Sequence, residues 1–344
     1  MQTQITTPGP LLNDRGELTQ PGWAITPQQT YNPEAVSLYP LKALNRLRLK
    51  EWDYYGLTTP EYFLALCVSN IGYAGLAFAY YIDFASGEIT ERTVVTPLGR
   101  GCTLPHSSMQ GDIHFSGSGV TMSFGHLNLS RRLRVRWPDF RNGETLQADL
   151  LLQQPKDLDS ITMSTPIGKK RFYYNHKINC MPASGTITLG NIRHDVAPDS
   201  AMGSLDWGRG IWEYKSFWNW ASASGFLPDG RSIGLNLGKG FGDLSHATEN
   251  AVYIDGRMHK LDDLDLRYTS GSYMEPWTMT TSEGRLNLRF EPFFERIATT
   301  KLVLLSTEVH QMFGRYSGNF TLDNGEVLPI ENLIGWAEEH HARW

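Results

Sequence analysis

The sequence predicts an all-β protein of two domains, each an antiparallel barrel or a barrel-like sandwich. Three observations lead to this class. A chain of 344 residues exceeds one ordinary hydrophobic core, which favours two domains. The 33 glycines and 18 prolines are spread through the chain, as expected where many short strands are joined by turns. Helical periodicity is almost absent; its best candidate is residues 40–50, where Leu41, Leu44, Asn45 and Arg48 would share a face.

Short alternating runs and turn signals mark the expected strands. Residues 61–97 predict three strands joined at Asn70-Ile71-Gly72 and Ala85-Ser86-Gly87. Asp255-Gly256 and Asn324-Gly325 predict hairpins in the later half. Strand density is similar in the two halves, so a duplicated β-unit is plausible.

We expect three segments along the chain. Residues 1–35 form an extended N-terminal segment, residues 36–198 a first β-domain and residues 199–344 a second. The boundary falls near the turn-rich stretch APDSAMG, because its proline and glycine are typical of a connection between domains.

Composition excludes several classes. An apolar fraction of 40% and a charged fraction of 19% are typical of a soluble globular protein. The net charge of −5 favours neither nucleic acid nor an anionic membrane as a partner. The one basic cluster, Arg131, Arg132, Arg134 and Arg136, has the pattern of the solvent face of a strand.

The start of the chain and its cysteines predict a reducing, cytoplasmic location. The N-terminus lacks the pattern of a signal peptide, and no apolar run is long enough for a membrane span. Cys67, Cys102 and Cys180 are too scattered for a disulfide framework or a zinc site, and Cys67 is expected in the core.

Residues 201–225 hold the densest mixture of aromatic and charged side chains. Four tryptophans are interleaved with polar groups, as in an apolar pocket with a few polar groups aimed inward. The residues concerned are Trp207, Trp212, Trp218 and Trp220 together with Asp206, Arg209, Glu213, Tyr214 and Asn219. Alternation along a strand places Trp218 and Trp220 on one face and Phe217 and Asn219 on the other.

Asp206 is the candidate acid. Next to tryptophan in a dry cavity its pKa would rise, and it could donate a proton near neutral pH. Alternatively, Asp206 pairs with Arg209 and ties the turn between the domains. Glu213 is either a solvent-facing strand residue or a second functional carboxylate.

Two further polar segments could contact a ligand. Tyr174 and His176 share one strand face, and Tyr173, Asn175 and Lys177 share the other. His176 is a general base or a structural histidine.

The second segment is the loop that ends in Glu249 and Asn250. It lies at a barrel mouth in contact with ligand, or Asn250 only caps a turn.

The sequence predicts no metal and no cofactor. His106, His114 and His126 are irregularly spaced, and residues 338–341 (EEHH) are interpreted as a polar tail. The glycine-rich stretch at residues 238–242 lacks the following helix of a phosphate-binding loop.

The motifs resemble those of a known superfamily. The sequence GSLDWG at 203–208, followed by Trp218-Asn219-Trp220, resembles the signature of carotenoid 1,2-hydratase and AttH-like proteins. Residues 273–277 and 331–335 resemble later strands of the same proteins. The stretches PLKALNRLRLKEWDYYG, NIGYAG and RFYYNHKINCMPASG are similar to the DUF2804 family over nearly the whole chain.

The resemblance implies two lipocalin-like β-barrels packed together, with a deep apolar pocket and little helix. It places Asp206 where the hydratases hold their proton-donating acid. One departure concerns the turn, because Trp207 follows Asp206 directly and Arg209 follows Gly208, whereas the hydratase turn reads Asp, His or Arg, any residue, Trp, Gly.

Three functions follow as hypotheses. In the first, Asp206 protonates an isoprenoid-like or lipid-like ligand, tryptophan faces stabilise the cation, and hydration or cyclisation results without a cofactor. In the second, the protein carries a lipid or pigment without changing it. In the third, it binds or cleaves carbohydrate, which requires Asp206 to face Glu213, Glu249 or Glu331 across a cleft. Besides Asp206, the predicted ligand-binding residues are Trp207, Arg209, Trp212, Tyr214, Trp218, Asn219, Trp220, Tyr174, His176, Glu249, Asn250 and Glu331.

Overall fold

A computed structural model describes residues 2–301 and 306–343 of the chain. These residues form twenty-five β-strands, one 3-10 helix (Pro33–Ala35) and one short α-helix, α1 (Lys42–Arg46). The strands of the first half are β1 (Gly9–Pro10), β2 (Gly22–Ala24), β3 (Gln29–Thr30), β4 (Lys50–Thr58), β5 (Tyr62–Asn70), β6 (Ala74–Asp83), β7 (Glu88–Pro97), β8 (Cys102–Thr103), β9 (Ile113–Gly117), β10 (Val120–Leu127), β11 (Ser130–Arg141), β12 (Glu144–Gln153), β13 (Ile161–Pro166), β14 (Phe172–Leu189), β15 (Ile192–Val196) and β16 (Met202–Ile211). Those of the second half are β17 (Lys215–Phe226), β18 (Ser232–Lys239), β19 (Ala251–Ile254), β20 (Arg257–Lys260), β21 (Leu264–Arg267), β22 (Trp277–Thr281), β23 (Leu286–Lys301), β24 (Ser306–Thr321) and β25 (Val327–Arg343).

The larger sheet contains fourteen strands and is antiparallel. Its main order is β7-β6-β5-β4-β16-β14-β12-β11-β10-β9-β8, with β13 and β15 paired to β14 and β2 paired to β13. The sheet curls, since β7 contacts β11 and β5 contacts β9. We call this curled sheet the first half-barrel. A continuous apolar core that includes Trp137 and Trp207 fills its inner side.

The second sheet has nine antiparallel strands in the order β20-β19-β18-β17-β25-β24-β23-β22-β21. It also curls, because β18 contacts β21, and it encloses a separate core around Trp277 and Phe290. We call it the second half-barrel. The predicted all-β class, with two curled, barrel-like antiparallel sheets and little helix, is confirmed.

The positions of several turns agree with the sequence prediction. The three strands expected over residues 61–97 are β5, β6 and β7, and their connections fall at the expected turns. Asp255 and Gly256 connect β19 to β20 with φ of 46° and 76°, the positive values that a two-residue hairpin requires.

Two predictions need correction. Only Lys42–Arg46 of the expected helix over residues 40–50 is helical, and Asn45 rather than a leucine faces the interior. Arg131 is buried, because it shares its strand face with Leu133 and Val135; the solvent-face interpretation of the basic cluster is therefore wrong for this residue.

The chain passes from one half-barrel to the other between Ile211 and Lys215. Strand β16 lies between β4 and β14 of the first sheet, whereas β17 belongs to the second. The boundary expected at residue 199 precedes β16. The N-terminal segment packs onto the first half-barrel through the pairing of β2 with β13.

The half-barrels meet across a third apolar cluster. It includes Tyr54, Phe63 and Tyr80 from the first sheet and Phe313 and Trp336 from the second. Because this cluster fills only part of the contact between the sheets, it leaves room beside it for a cavity.

Candidate active site

A cavity of about 330 Å³ lies between the two half-barrels. Its first wall, on the outer side of the first sheet, includes Trp52, Tyr54, Phe78, Tyr173, Lys177 and Asp206. Its second wall includes Trp218, Trp220, Phe241, Glu249, Arg296 and Glu338. The pocket is therefore between the barrels rather than inside one, because aromatic and aliphatic side chains fill both interiors.

Strand alternation determines which residues of β16 reach the cavity. Leu205 and Trp207 belong to the core of the first half-barrel, so the intervening Asp206 points towards the second sheet. This explains how a carboxylate occupies a strand in which every residue is buried.

Asp206 forms an ion pair with Lys177, its direct cross-strand neighbour on β14. The Lys177 Nζ lies 2.7 Å from Asp206 Oδ1 and 4.2 Å from the centroid of the Trp220 ring. The aromatic face and the carboxylate thus hold the ammonium group from two sides.

The alternative pairing of Asp206 with Arg209 is wrong. Arg209 faces the first half-barrel, where its guanidinium lies 2.8 Å from Asp53 and 4.2 Å from the Trp207 ring. Residues 206 and 209 are an odd number of positions apart and therefore occupy opposite strand faces.

Glu338 is a buried acid of the second wall. Trp218 Nε1 donates to its Oε1 and Gln311 Nε2 donates to its Oε2, each at 3.2 Å. Burial raises the pKa of Glu338 to about 7, against the opposing effects of the Trp218 hydrogen bond and of Arg296 and Lys177. A large fraction of this carboxyl therefore retains its proton near neutral pH.

Glu249 is a third carboxyl at the same cavity. Asn175 Nδ2 donates to its Oε2 at 2.8 Å. Burial raises the pKa of Glu249, Lys177 opposes the rise and the charge of Asp206 adds to it. Glu249 thus lines the cavity between the half-barrels, and its contact with a ligand stays a prediction.

A chain of hydrogen bonds fixes the amide that contacts Glu338. The Tyr54 and Tyr80 hydroxyls are 2.7 Å apart, and Tyr80 donates to Gln311 Oε1 at 2.8 Å. Because the Gln311 carbonyl accepts from Tyr80, its NH₂ group is directed at Glu338. Arg296 lies over the Tyr80 ring and its charge is paired with Glu91 at 2.6 Å.

His340 adds a neutral ring to the second wall. Burial lowers its pKa to about 3. Its ring centroid is 3.8 Å from that of Trp218, and its Nε2 lies 2.7 Å from Thr307 Oγ1. At neutral pH His340 can exchange hydrogen bonds without placing a charge beside the carboxyls.

Five of the residues selected from the sequence line the cavity, namely Asp206, Trp218, Asn219, Trp220 and Glu249. Trp212 packs behind it against Trp52 and Tyr173.

Other selected residues lie elsewhere. Trp207, Arg209, Tyr174 and His176 face the first half-barrel, because they occupy the inner faces of β16 and β14. Tyr174 donates to the Gln29 carbonyl, and His176 lies between the hydroxyls of Ser108 and Ser160, 2.8 Å from each.

The remaining residues selected from the sequence do not line the cavity either. Asn250 is buried and bonds the Gly238 amide and the Asp262 carbonyl, as the turn-capping interpretation expects. Tyr214, Glu213 and Glu331 are exposed, so of the proposed carboxylate pairs only Asp206 and Glu249 share the cavity.

The sequence reasoning missed Lys177, Gln311, Glu338 and Arg296. Lys177 had been placed on the face opposite Tyr174 and His176, and this face is the one at the cavity. Residues 338–341 are not a polar tail but part of the central strand β25, in which Glu338 and His340 alternate towards the cavity.

The described residues contain neither a metal-binding cluster nor a membrane-spanning helix. Within 2–301 and 306–343, no three His, Cys, Asp or Glu side chains converge as a metal site would require. Over the same ranges, no helix has the length and apolar character needed to cross a membrane.

Solved structures similar to the chain include three with low sequence identity. An AttH-like protein from Nitrosomonas europaea superimposes with a TM-score of 0.43 and 12% identity, over 92% of this chain and 98% of its own. Kievitone hydratase from Nectria haematococca gives a TM-score of 0.47 and 12% identity, over 92% and 96%. CghA with Sch210972 gives a TM-score of 0.43 and 9% identity, over 86% and 89%.

No protein with a curated function matches the sequence. The model of one sequence family, however, matches residues 2–344. The chain belongs to the DUF2804 family, described as a domain of unknown function.

Proposed function

We propose that the protein is an enzyme that binds a compact apolar ligand between its half-barrels and transfers a proton to it. The reaction class is acid-catalysed hydration or cyclisation of an isoprenoid-like or lipid-like molecule. The observation that supports it best is Glu338, a buried carboxyl with a pKa of about 7 at the wall of an aromatic cavity. An acid with this pKa combines a high protonated fraction with ready release of the proton.

The proton of Glu338 forms a C–H bond with one carbon of a ligand double bond, and the other carbon becomes cationic. Aromatic rings of the cavity walls, such as those of Trp218 and Trp52, stabilise this cation. Water or a hydroxyl group of the ligand then forms a C–O bond, and its proton returns to the Glu338 carboxylate.

Asp206 has a different role in this proposal from the one that the sequence suggested. Its carboxylate is paired with Lys177 at 2.7 Å, so its proposed role is to hold that ammonium group in place at the cavity wall. Glu338, whose hydrogen-bond partners are neutral Trp218 and Gln311, is the better proton donor. Glu338 and Asp206 are therefore competing candidates for the proton donor, and single variants can distinguish between them.

The size of the cavity supports a compact ligand. A volume of 330 Å³ is at the lower end of the roughly 300–1,000 Å³ that is usual for small-molecule pockets. A short isoprenoid or a ring system fits this space, whereas a long lipid chain would extend out of it.

The test uses purified protein in D₂O with a panel of short unsaturated isoprenoids and unsaturated phenols. Mass spectrometry should detect a product that carries a new carbon-bound deuterium. Glu338→Gln should abolish deuteration with ligand binding retained, while Asp206→Asn should reduce the rate and leave some turnover. Glu331→Gln, an exposed glutamate of the same strand, is the matched control. Full activity of Glu338→Gln together with a dead Asp206→Asn would return the proton donor to Asp206.

A second candidate function is carriage of an apolar ligand without chemistry, and the predominance of aromatic rings in the cavity favours it. Native mass spectrometry of protein purified from its own host would then show a bound apolar molecule. Under this alternative, no member of the panel becomes deuterated, and Glu338→Gln binds ligand as the unaltered protein does.

A further inference from the structure

A protruding segment of the first half-barrel exposes an unusual set of apolar side chains. Around the short helix α1, the exposed fractions are 38% for Tyr39, 61% for Leu41, 43% for Leu44 and 37% for Leu47. Single exposed leucines are common on protein surfaces, but four large apolar residues within nine positions form a patch. We call these four residues the apolar tip.

Local structure fixes the outward direction of the tip. Asn45 is the one buried residue of α1, and its amide bonds the Val36 carbonyl at 3.2 Å and the Tyr39 N–H at 2.8 Å. Because Asn45 occupies the inner side of the turn, Leu41 and Leu44 are turned to solvent.

Positive charge surrounds the tip. Between Glu34 and Glu51 the sequence has no acidic residue, but it has Lys42, Arg46 and Arg48; Lys50 is buried and does not contribute to the surface charge. Lys42 and Arg46 are exposed.

A separate chain segment adds a further cation to this surface. The Lys170 Nζ lies 3.3 Å from the Ser37 carbonyl. The net charge of −5 for the whole chain therefore conceals a local basic surface.

The apolar tip lies next to the cavity. A Cβ placed on Gly72 would fall 2.6 Å from the carbonyl oxygens of Arg46 and Leu47, so this turn and the end of α1 are in close contact. The neighbouring Ile71 lines the cavity and accepts a hydrogen bond from Lys50.

We propose that the apolar tip docks the protein on an anionic lipid surface. Leu41, Leu44 and Leu47 would enter the boundary between headgroups and acyl chains, while Lys42 and Arg46 contact anionic headgroups. The charge around the tip argues for this occupant, since a purely apolar partner surface would leave the cations without a counter-charge. The proposal is independent of the reaction at Glu338.

Co-sedimentation with vesicles tests the docking. The full chain should bind vesicles of equal parts phosphatidylcholine and phosphatidylglycerol, and bind pure phosphatidylcholine much less. Lys42→Gln with Arg46→Gln should weaken the partition coefficient about thirty-fold, which corresponds to ~1 kcal/mol for each cation. Added NaCl should weaken binding by the unaltered protein.

An apolar variant and a matched control complete the experiment. Leu41→Asp with Leu44→Asp should abolish sedimentation. Leu129→Asp alters a leucine of similar exposure, 44%, next to the turn between β10 and β11, and should bind normally. Circular dichroism checks that each variant is folded.

Three results would overturn the proposal. The first is a failure of the unaltered protein to bind phosphatidylglycerol vesicles. The second is a loss of binding by Leu129→Asp as large as that of the tip variant. The third is a dimer, seen by sedimentation equilibrium and dispersed by Leu41→Asp, which would show that a second copy of the chain covers the tip.

Discussion

At the residue scale, the walls of the apolar cavity carry more acidic than basic side chains. The buried cation next to Asp206, Glu249 and Glu338 is Lys177, because the charge of Arg296 is paired with Glu91 and Lys239 lines the cavity from an exposed position. Ionising all three carboxyls would leave uncompensated charge away from water, which is costly. Burial is the main cause of the raised pKa values of Glu338 and Glu249, and the nearby carboxylate of Asp206 adds to both.

The raised pKa of Glu338 predicts a specific pH dependence of stability. Folding raises this pKa from 4.5 to about 7, so the protonated carboxyl contributes its full stabilisation below pH 4.5 and loses it as pH rises through about 7. The free energy of unfolding relative to Glu338→Gln should therefore fall by roughly 3 kcal/mol over this interval.

Urea denaturation at several pH values measures this difference. Glu331→Gln is the control, because its side chain is exposed on the same strand, and it should leave stability unchanged. A difference between the unaltered protein and Glu338→Gln that stays constant from acid to neutral pH would contradict the assignment.

At the element scale, strand alternation explains both the successes and the failures of the sequence. The pairing of faces on β14 was predicted, since Tyr173 and Lys177 do share a face. Which face meets the cavity was not predictable, because β14 and β16 are buried on both sides and show no alternation of polarity. Glu338 was missed because the sequence EEHH at residues 338–341 has the composition of a polar, solvent-exposed tail.

The buried pair of Asp53 and Arg209 gives a prediction for the elements β4 and β16. Asp53→Asn would leave the fully buried Arg209 guanidinium with only the more distant Glu51 carboxylate, 3.9 Å from its Nε, which should cost about 3 kcal/mol of stability. Asp195→Asn is the matched control, because its ion pair with Arg193 is exposed and should contribute at most about 1 kcal/mol. Urea denaturation of both variants measures the two costs, and equal costs would show that burial of the pair does not matter.

At the scale of the whole molecule, the cavity exists because two half-barrels pack side by side. The glycines, turns and alternating runs predicted the two β-domains. They could not predict the space between the domains, because its walls come from strands far apart in the chain, such as β4, β17 and β25.

The aromatic contact between the half-barrels should make them unfold together. Phe313 is fully buried and its ring centroid lies 4.7 Å from that of Phe63 across the contact. Phe313→Ala should cost about 3–5 kcal/mol and lower the hydrogen-exchange protection of β5 and β24 alike. Phe226→Ala, at an exposed position, should have little effect. A loss of protection confined to β24 would show that the half-barrels are independent.

The proposed proton transfer requires that Glu338 keeps its proton near neutral pH. Difference infrared spectroscopy of the unaltered protein against Glu338→Gln measures this directly, through the C=O band of a protonated carboxyl. The band should disappear with a midpoint near pH 7, as burial of this carboxyl requires. A midpoint at the ordinary pKa of a glutamate, or no such band above it, would contradict the account.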